Sequence, residues 1–340
     1  MIQTTIENGV AVIRLNRDEK LNALNFSMIL ELQDLLHHLA EDAQVKGLVL
    51  KGGSKAFCAG GDVVDLYKHY IIRGKDPNPF FATEFKVDNQ IETFPKPVVA
   101  LVHGITMGGG VGLSCGADFI VADETTTWAM PETRLGIVPD VGVGYYLSKL
   151  PRPVALYLSL LGVSITGSDM MKLGLATHYV KSKSLIQLES DLIACGMATT
   201  ADIRTVLDAY RVPTVTTALD KAKSDIDRYF DSTTLEALLD NLSKGSDWGK
   251  DVYQWFQDKS PLSLKLVFGK YDVGKALTRQ ETFEMDEKIL DYCYVTGNMG
   301  EGIRAAMIDK DPPHFKPTSV QDVDDDVVSR LLSKRERVVK

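Results

Sequence analysis

An α/β fold, with a mostly parallel sheet covered by helices and a helical region behind it, is what this chain of 340 residues predicts. Short apolar runs suited to strands alternate with helical segments, as in βαβ units. Two glycine-rich stretches, Ala56–Asp62 and His103–Gly110, each follow one of those runs. From about Leu185 onward the strand signal fades and charged, helix-periodic segments take over. Residues 1–190 therefore read as a core carrying the site, and 191–340 as a helical C-terminal region.

The elements follow in order. Thr4–Glu7 and Val10–Leu15 alternate around Asn8-Gly9, a dipeptide suited to a type I′ turn, and predict an opening β-hairpin. Leu32, Leu35, Leu36 and Leu39 recur at helical spacing behind Ser27, taken as the N-cap. Val45–Leu50, Val98–His103 and Phe119–Ala122 predict buried strands, the second running into Gly108–Gly110 and a helix. Leu235–Leu242 and Phe283–Tyr294 predict helices, Pro312, Pro313 and Pro317 mark irregular chain, and the charged stretch from Val320 is expected to be loose.

Composition narrows the function. With 44% hydrophobic and 25% charged residues the chain is expected to bury a substantial core. A net charge of -8 opposes diffuse attraction to nucleic acid or anionic membrane, so neither is expected as a partner. Cys58, Cys115, Cys195 and Cys293 show no CxxC spacing, which suits a reducing compartment and predicts neither zinc site nor disulfide framework. No leader is expected at the N-terminus, and the apolar window Pro97–Cys115 is interrupted by His103 and glycines. A cytoplasmic protein is the expectation.

Glycines at the end of a strand expose backbone N–H groups to a ligand, and two such donors converging on one oxygen make an oxyanion hole. Gly61 and Gly109 are the candidate donors. Glu132, behind Pro131, and Asp140, behind Pro139, lie on short Pro/Gly-bounded segments that hold a carboxylate in place, which suits an acid/base or nucleophile pair rather than two surface acids. The scattered histidines assemble no Ser/His/Asp or Cys/His triad, and Cys58 reads as a small buried residue.

Lys55–Asp62, His103–Gly112 and Pro131–Gly142, with Leu21-Asn22-Ala23-Leu24 and Ile165-Thr166-Gly167, together resemble the crotonase (enoyl-CoA hydratase/isomerase) superfamily. The resemblance implies a crotonase (ClpP-like) fold of repeated ββα units and an acyl-CoA thioester substrate. Hydratases of this kind carry a glutamate three residues after the central oxyanion glycine, where this chain has Gly112. The remaining pair, Glu132 with Asp140, and the segments Ser260–Lys265 and Gly300–Asp311 resemble the 3-hydroxyisobutyryl-CoA hydrolase family. Val143 departs from it, standing where a glycine is common.

That resemblance implies a thioester hydrolase of valine degradation, 3-hydroxyisobutyryl-CoA and water giving 3-hydroxyisobutyrate and CoA. Gly61 and Gly109 would stabilise the oxyanion. Glu132 would either attack the carbonyl or activate water, with Asp140 assisting. Glu84 would contact substrate, and Arg17, Lys20 and Ala59 would meet CoA. It implies no cofactor and no metal, CoA being part of the substrate, and a homo-oligomer, a trimer or hexamer. An enoyl-CoA hydratase or isomerase on the same scaffold is the nearest alternative, and an RNA-binding relative the one from another class.

Overall fold

The structure, a computed structural model, describes residues 1–334. Its strands are β1 (Ile2–Glu7), β2 (Val10–Leu15), β3 (Gly47–Lys51), β4 (Ala56–Cys58), β5 (Val98–Val102), β6 (Ile105–Met107), β7 (Phe119–Asp123), β8 (Thr127–Ala129), β9 (Ile165–Thr166) and β10 (His178–Val180). They form a six-stranded sheet in the order β1-β2-β3-β5-β7-β10 and a four-stranded sheet in the order β4-β6-β8-β9. The ββα repeat is visible in that order. The first strand of each pair, β3, β5 or β7, joins the larger sheet, and the second, β4, β6 or β8, joins the smaller.

The opening hairpin forms as expected, with Asn8 and Gly9 at φ of 48° and 80° and β1 antiparallel to β2. From β2 to β10 the larger sheet is parallel, and its strands are mostly apolar and buried. On one face Val49, Val99 and Val121 pack against Leu188, Leu192 and Leu207 of helices Leu185–Cys195 and Thr200–Ala209.

Two local expectations change. Helix Phe26–Glu41 is capped by Asn25, whose side chain accepts from Met28 N, and not by Ser27. Ser27 lies inside the first turn, its hydroxyl donating to Asn25 Oδ1, because the amide oxygen one residue outside the helix reaches the orphan N–H better. The chain from Val320 is ordered where it is described: helix Asp325–Leu332 starts at Asp324, whose carboxylate accepts from Asp326 N and Val327 N, and it buries Leu331 and Leu332. The rest of that tail, 335–340, lies outside the described residues.

The chain divides into two compact units. One comprises Met1–Asp62, Ala82–Ala129 and Ser164–Lys221, and the other Val63–Phe81, Met130–Val163 and Ala222–Lys340. The first holds both sheets; the second, among the described residues, is helical. In the second unit helix Pro261–Gly274 packs against Arg152–Leu161, Val143–Leu147 and Asp325–Leu332. The division at residue 190 follows the end of the strand signal, whereas these units follow spatial packing and draw on separate stretches of chain. Among the described residues no helix is long and apolar enough to cross a membrane.

Candidate active site

In the first unit β4 and β6 lie side by side and parallel, so the loops leaving their ends start as neighbours. Leu24 bridges the first loop, its N–H donating to Gly60 O at 2.8 Å and its carbonyl accepting from Asp62 N at 2.7 Å. That ladder uses atoms of Gly60 and Asp62 and leaves the Gly61 N–H on the opposite side. In the second loop Gly108 adopts φ 49°, ψ −121°, a conformation only glycine takes readily, and it swings the chain into helix Gly109–Cys115. The N–H of Gly109 opens that helix and has no intrahelical acceptor.

The two amides are close. A methyl group at Gly109 would stand 3.4 Å from Gly61 N, and one at Gly60 would stand 3.4 Å from Gly109 N. Among the described residues neither N–H donates to a protein carbonyl. Two adjoining, unspent backbone donors are what a developing oxyanion requires. Glu84, on helix Asn78–Glu92, is 3% exposed, and a methyl at Gly109 would meet its Oε1 at 2.1 Å. It is therefore a buried carboxylate beside Gly109, not a solvated helix acid.

Of the residues assigned to CoA, Arg17 is committed to protein. It pairs with Asp62 at 2.8 Å and donates to Ala23 O at 2.7 Å, tying its turn to the Gly61 loop. Ala59 N donates to Leu21 O, and Lys20 is exposed. Asn22, to which the sequence reading gave no role, is fully buried and donates to Ala56 O at 2.9 Å while accepting from Arg17 N. Its place in Leu21-Asn22-Ala23-Leu24 was the available signal. Burial pushes the Cys58 thiol up to about 12, which removes it as a nucleophile.

The carboxylates belong to the second unit. Glu132 opens a 3-10 turn, Glu132–Leu135, closed by Gly136 at φ 72°. A methyl at Gly136 would come within 2.1 Å of Asn298 O, so the turn is pinned against the chain after helix Arg279–Val295. Asp140 follows Pro139 and precedes Val141 and Gly142 at φ 51° and 70°. A β-branched residue in the left-handed region is strained, and the neighbours must enforce it. Val143, the departure from the family pattern, is buried as the first residue of helix Val143–Leu147.

Glu132 is 4% and Asp140 5% exposed, and Oε2 of Glu132 has no protein hydrogen-bond partner among the described residues. Burial, then the Asp140 charge, pushes the Glu132 carboxyl well above its ordinary range, with Lys270 opposing. Asp140 is pushed up to about 7, by burial first and then by Asp286, again with Lys270 opposing. Two buried carboxyls whose values are both raised, and which interact, can serve as acid and base in turn. Lys270 and Asp286 were not found from the sequence. The signal was two charges at core-facing positions of helices Pro261–Gly274 and Arg279–Val295, Lys270 standing one turn beyond the buried Leu266 and Val267. Among the described residues no cluster of three or more His, Cys, Asp or Glu side chains is placed to hold a metal.

Residues 10–332 match the family model described as enoyl-CoA hydratase/isomerase. The mitochondrial 3-hydroxyisobutyryl-CoA hydrolase of Xenopus laevis is 38% identical over 330 residues, 95% of this chain and 86% of the relative. That of Homo sapiens is 37% identical over 323 residues, 92% of this chain and 83% of the relative. Among solved structures, a carnitinyl-CoA dehydratase from Mycobacterium thermoresistibile superposes with a TM-score of 0.89 at 26% identity, covering 99% of this chain and 97% of its own. An enoyl-CoA hydratase from Rhodobacter sphaeroides 2.4.1 does so at 0.89 and 28%, covering 98% and 97%.

Proposed function

From the premise that the chain belongs to the enoyl-CoA hydratase/isomerase family, we propose that it hydrolyses an acyl-CoA thioester, 3-hydroxyisobutyryl-CoA, to 3-hydroxyisobutyrate and CoA. The relatives that carry this activity in their names are 36–38% identical over most of the chain. The observation that carries the reading is the buried pair of Glu132 and Asp140, together with Gly112. A hydratase of the resembling kind needs an acid at that glycine, and a hydrolase does not.

The roles follow from charge. Attack on the thioester carbonyl puts negative charge on its oxygen, and the Gly61 and Gly109 N–H groups stabilise it without reorganising. Glu132 supplies the attacking carboxylate or deprotonates the attacking water. If Glu132 attacks, the mixed anhydride it forms is then cleaved by water. In either case protonated Asp140 gives its proton to the departing thiolate and regains one from the water that hydrolyses the acyl group. Glu84, beside Gly109, orients the acyl group. No cofactor enters this scheme, so dialysis against a chelator is expected to leave the rate unchanged.

Release of free thiol from 3-hydroxyisobutyryl-CoA tests the reading, and loss of the conjugated absorbance of crotonyl-CoA tests the hydratase alternative. Activity on crotonyl-CoA alone would overturn the hydrolase assignment. A homo-oligomer, trimeric or hexameric, and a cytoplasmic location complete the proposal. The four cysteines are all free, which suits a reducing compartment, while the named relatives are mitochondrial. Light scattering and cell fractionation test these two points.

A further inference from the structure

Two buried charges beside Asp140 take no part in that chemistry. Lys270 is 5% exposed and Asp286 fully buried. The Lys270 ammonium donates to Asp286 Oδ1 and to the carbonyl of Pro139. The other Asp286 oxygen accepts from Gly142 N at 3.1 Å. The ion pair thus grips the segment 139–142 at both ends, with Asp140 and the strained Val141 between the two grips. Two apolar side chains would join the same helices without the desolvation penalty of burying ions, but they would hold neither Pro139 O nor Gly142 N.

We propose that Lys270 is a positioning residue for the Glu132 and Asp140 pair, fixing the Asp140 segment through Pro139 while its positive charge offsets the crowding of three buried carboxylates. This rests on the hydrolase reading of the site. Carboxylates outnumber cations around the ammonium. The 3-10 turn contributes Glu132, the loop Asp140, and helix Arg279–Val295 Asp286, with Arg279 placed against Gly142 and the ring of Tyr146. Helix Arg152–Leu161 brings Ala155 and Ser159, and helix Val143–Leu147 brings Gly144, all uncharged. Helix Asp325–Leu332 presents Leu332 to Gly269.

The two partners act on Asp140 in opposite directions, Lys270 favouring its ionised form and Asp286 disfavouring it. Their removal therefore has opposite signatures, which a purely structural role would not produce. The experiment follows thiol release from 3-hydroxyisobutyryl-CoA between about pH 5 and about pH 9 for the full-length wild type, K270M, K270R and D286N, with circular dichroism to check folding. The acid limb of kcat is expected to move up by about one pH unit in K270M, to stay in place with most of the rate kept in K270R, and to move down in D286N. A K270M enzyme that is slower with an unmoved limb overturns the proposal, as does a limb that moves the same way in K270M and D286N. Should K270M not fold, a D286N limb that stays put or rises overturns it alone. A wild type that releases no thiol while remaining folded ends the hydrolase reading itself.

Discussion

In the first compact unit Gly61 and Gly109 owe their position to backbone geometry, a parallel strand pair and a Gly108 conformation closed to other residues. In the second, the Asp140 segment owes its position to side chains on helices more than a hundred residues further along, Lys270 and Asp286, and the Glu132 turn is pinned at Gly136 against Asn298. Backbone donors do not titrate. Buried carboxylates do, and their environment sets where. Variants of the first group should change the rate and leave its pH dependence alone, whereas variants of the second should change both.

The largest effect belongs to Glu132. E132Q keeps shape and removes charge, so kcat is expected to fall roughly 10³-fold with little change in the affinity for acyl-CoA measured by calorimetry. Unchanged turnover would take Glu132 out of the mechanism. G109A comes next. Its methyl would meet Glu84 Oε1 at 2.1 Å, so that either the carboxylate or the start of the helix must shift, disturbing the Gly109 donor. Losing one preorganised donor costs about 3 kcal/mol of barrier, roughly 10²-fold in kcat. The acid limb is expected to stay where it is in the wild type; a shift would show that the glycine pair and the carboxylates do not separate as argued.

The same contrast explains what the sequence revealed. The hairpin at Asn8-Gly9, the strands ending at both glycine loops, and the short proline-bounded segments that carry Glu132 and Asp140 were legible because each is written in residues within a few positions. The Asn25 cap was not, because Asn25 and Ser27 are both good capping residues and only the backbone path chooses between them. The burial of Glu84 was not, since a carboxylate in Phe80–Phe85 reads equally well as solvated until something packs over it. Lys270 carries no local motif at all. Its role follows from contact with Pro139, 131 residues away, which no spacing rule encodes.

A third prediction uses stability. The Asp140 carboxyl rises from an ordinary 3.8 to about 7 on folding, because burial disfavours its charge. A raised carboxyl contributes stability that is fully present below the unfolded value and is lost as pH rises through the folded one. D140N carries no such group. Its melting temperature relative to the wild type is therefore expected to climb between about pH 4 and about pH 8. G109A is expected to show a constant offset over the same range. A flat D140N difference would mean that Asp140 is ionised in the folded enzyme at all these values.

The smallest effects distinguish Arg17 from Lys20 in the first unit. Both were assigned to the CoA phosphates, yet Arg17 is spent on Asp62 and Ala23 O, next to the Gly61 amide, whereas Lys20 is exposed. R17M is thus expected to lower kcat for the full CoA thioester and for a truncated N-acetylcysteamine thioester by the same factor, since the disturbance reaches the donor and not the phosphates. K20M should leave kcat intact and raise KM for the CoA thioester only. That rise is limited to about five-fold, because an exposed charge in water contributes at most about 1 kcal/mol. If R17M instead raised KM for the CoA thioester and spared the truncated one, Arg17 would have to exchange Asp62 for a phosphate on binding. The Gly61 loop would then be coupled to the ligand's far end, and the backbone half of the chemistry would no longer be independent of side-chain charge.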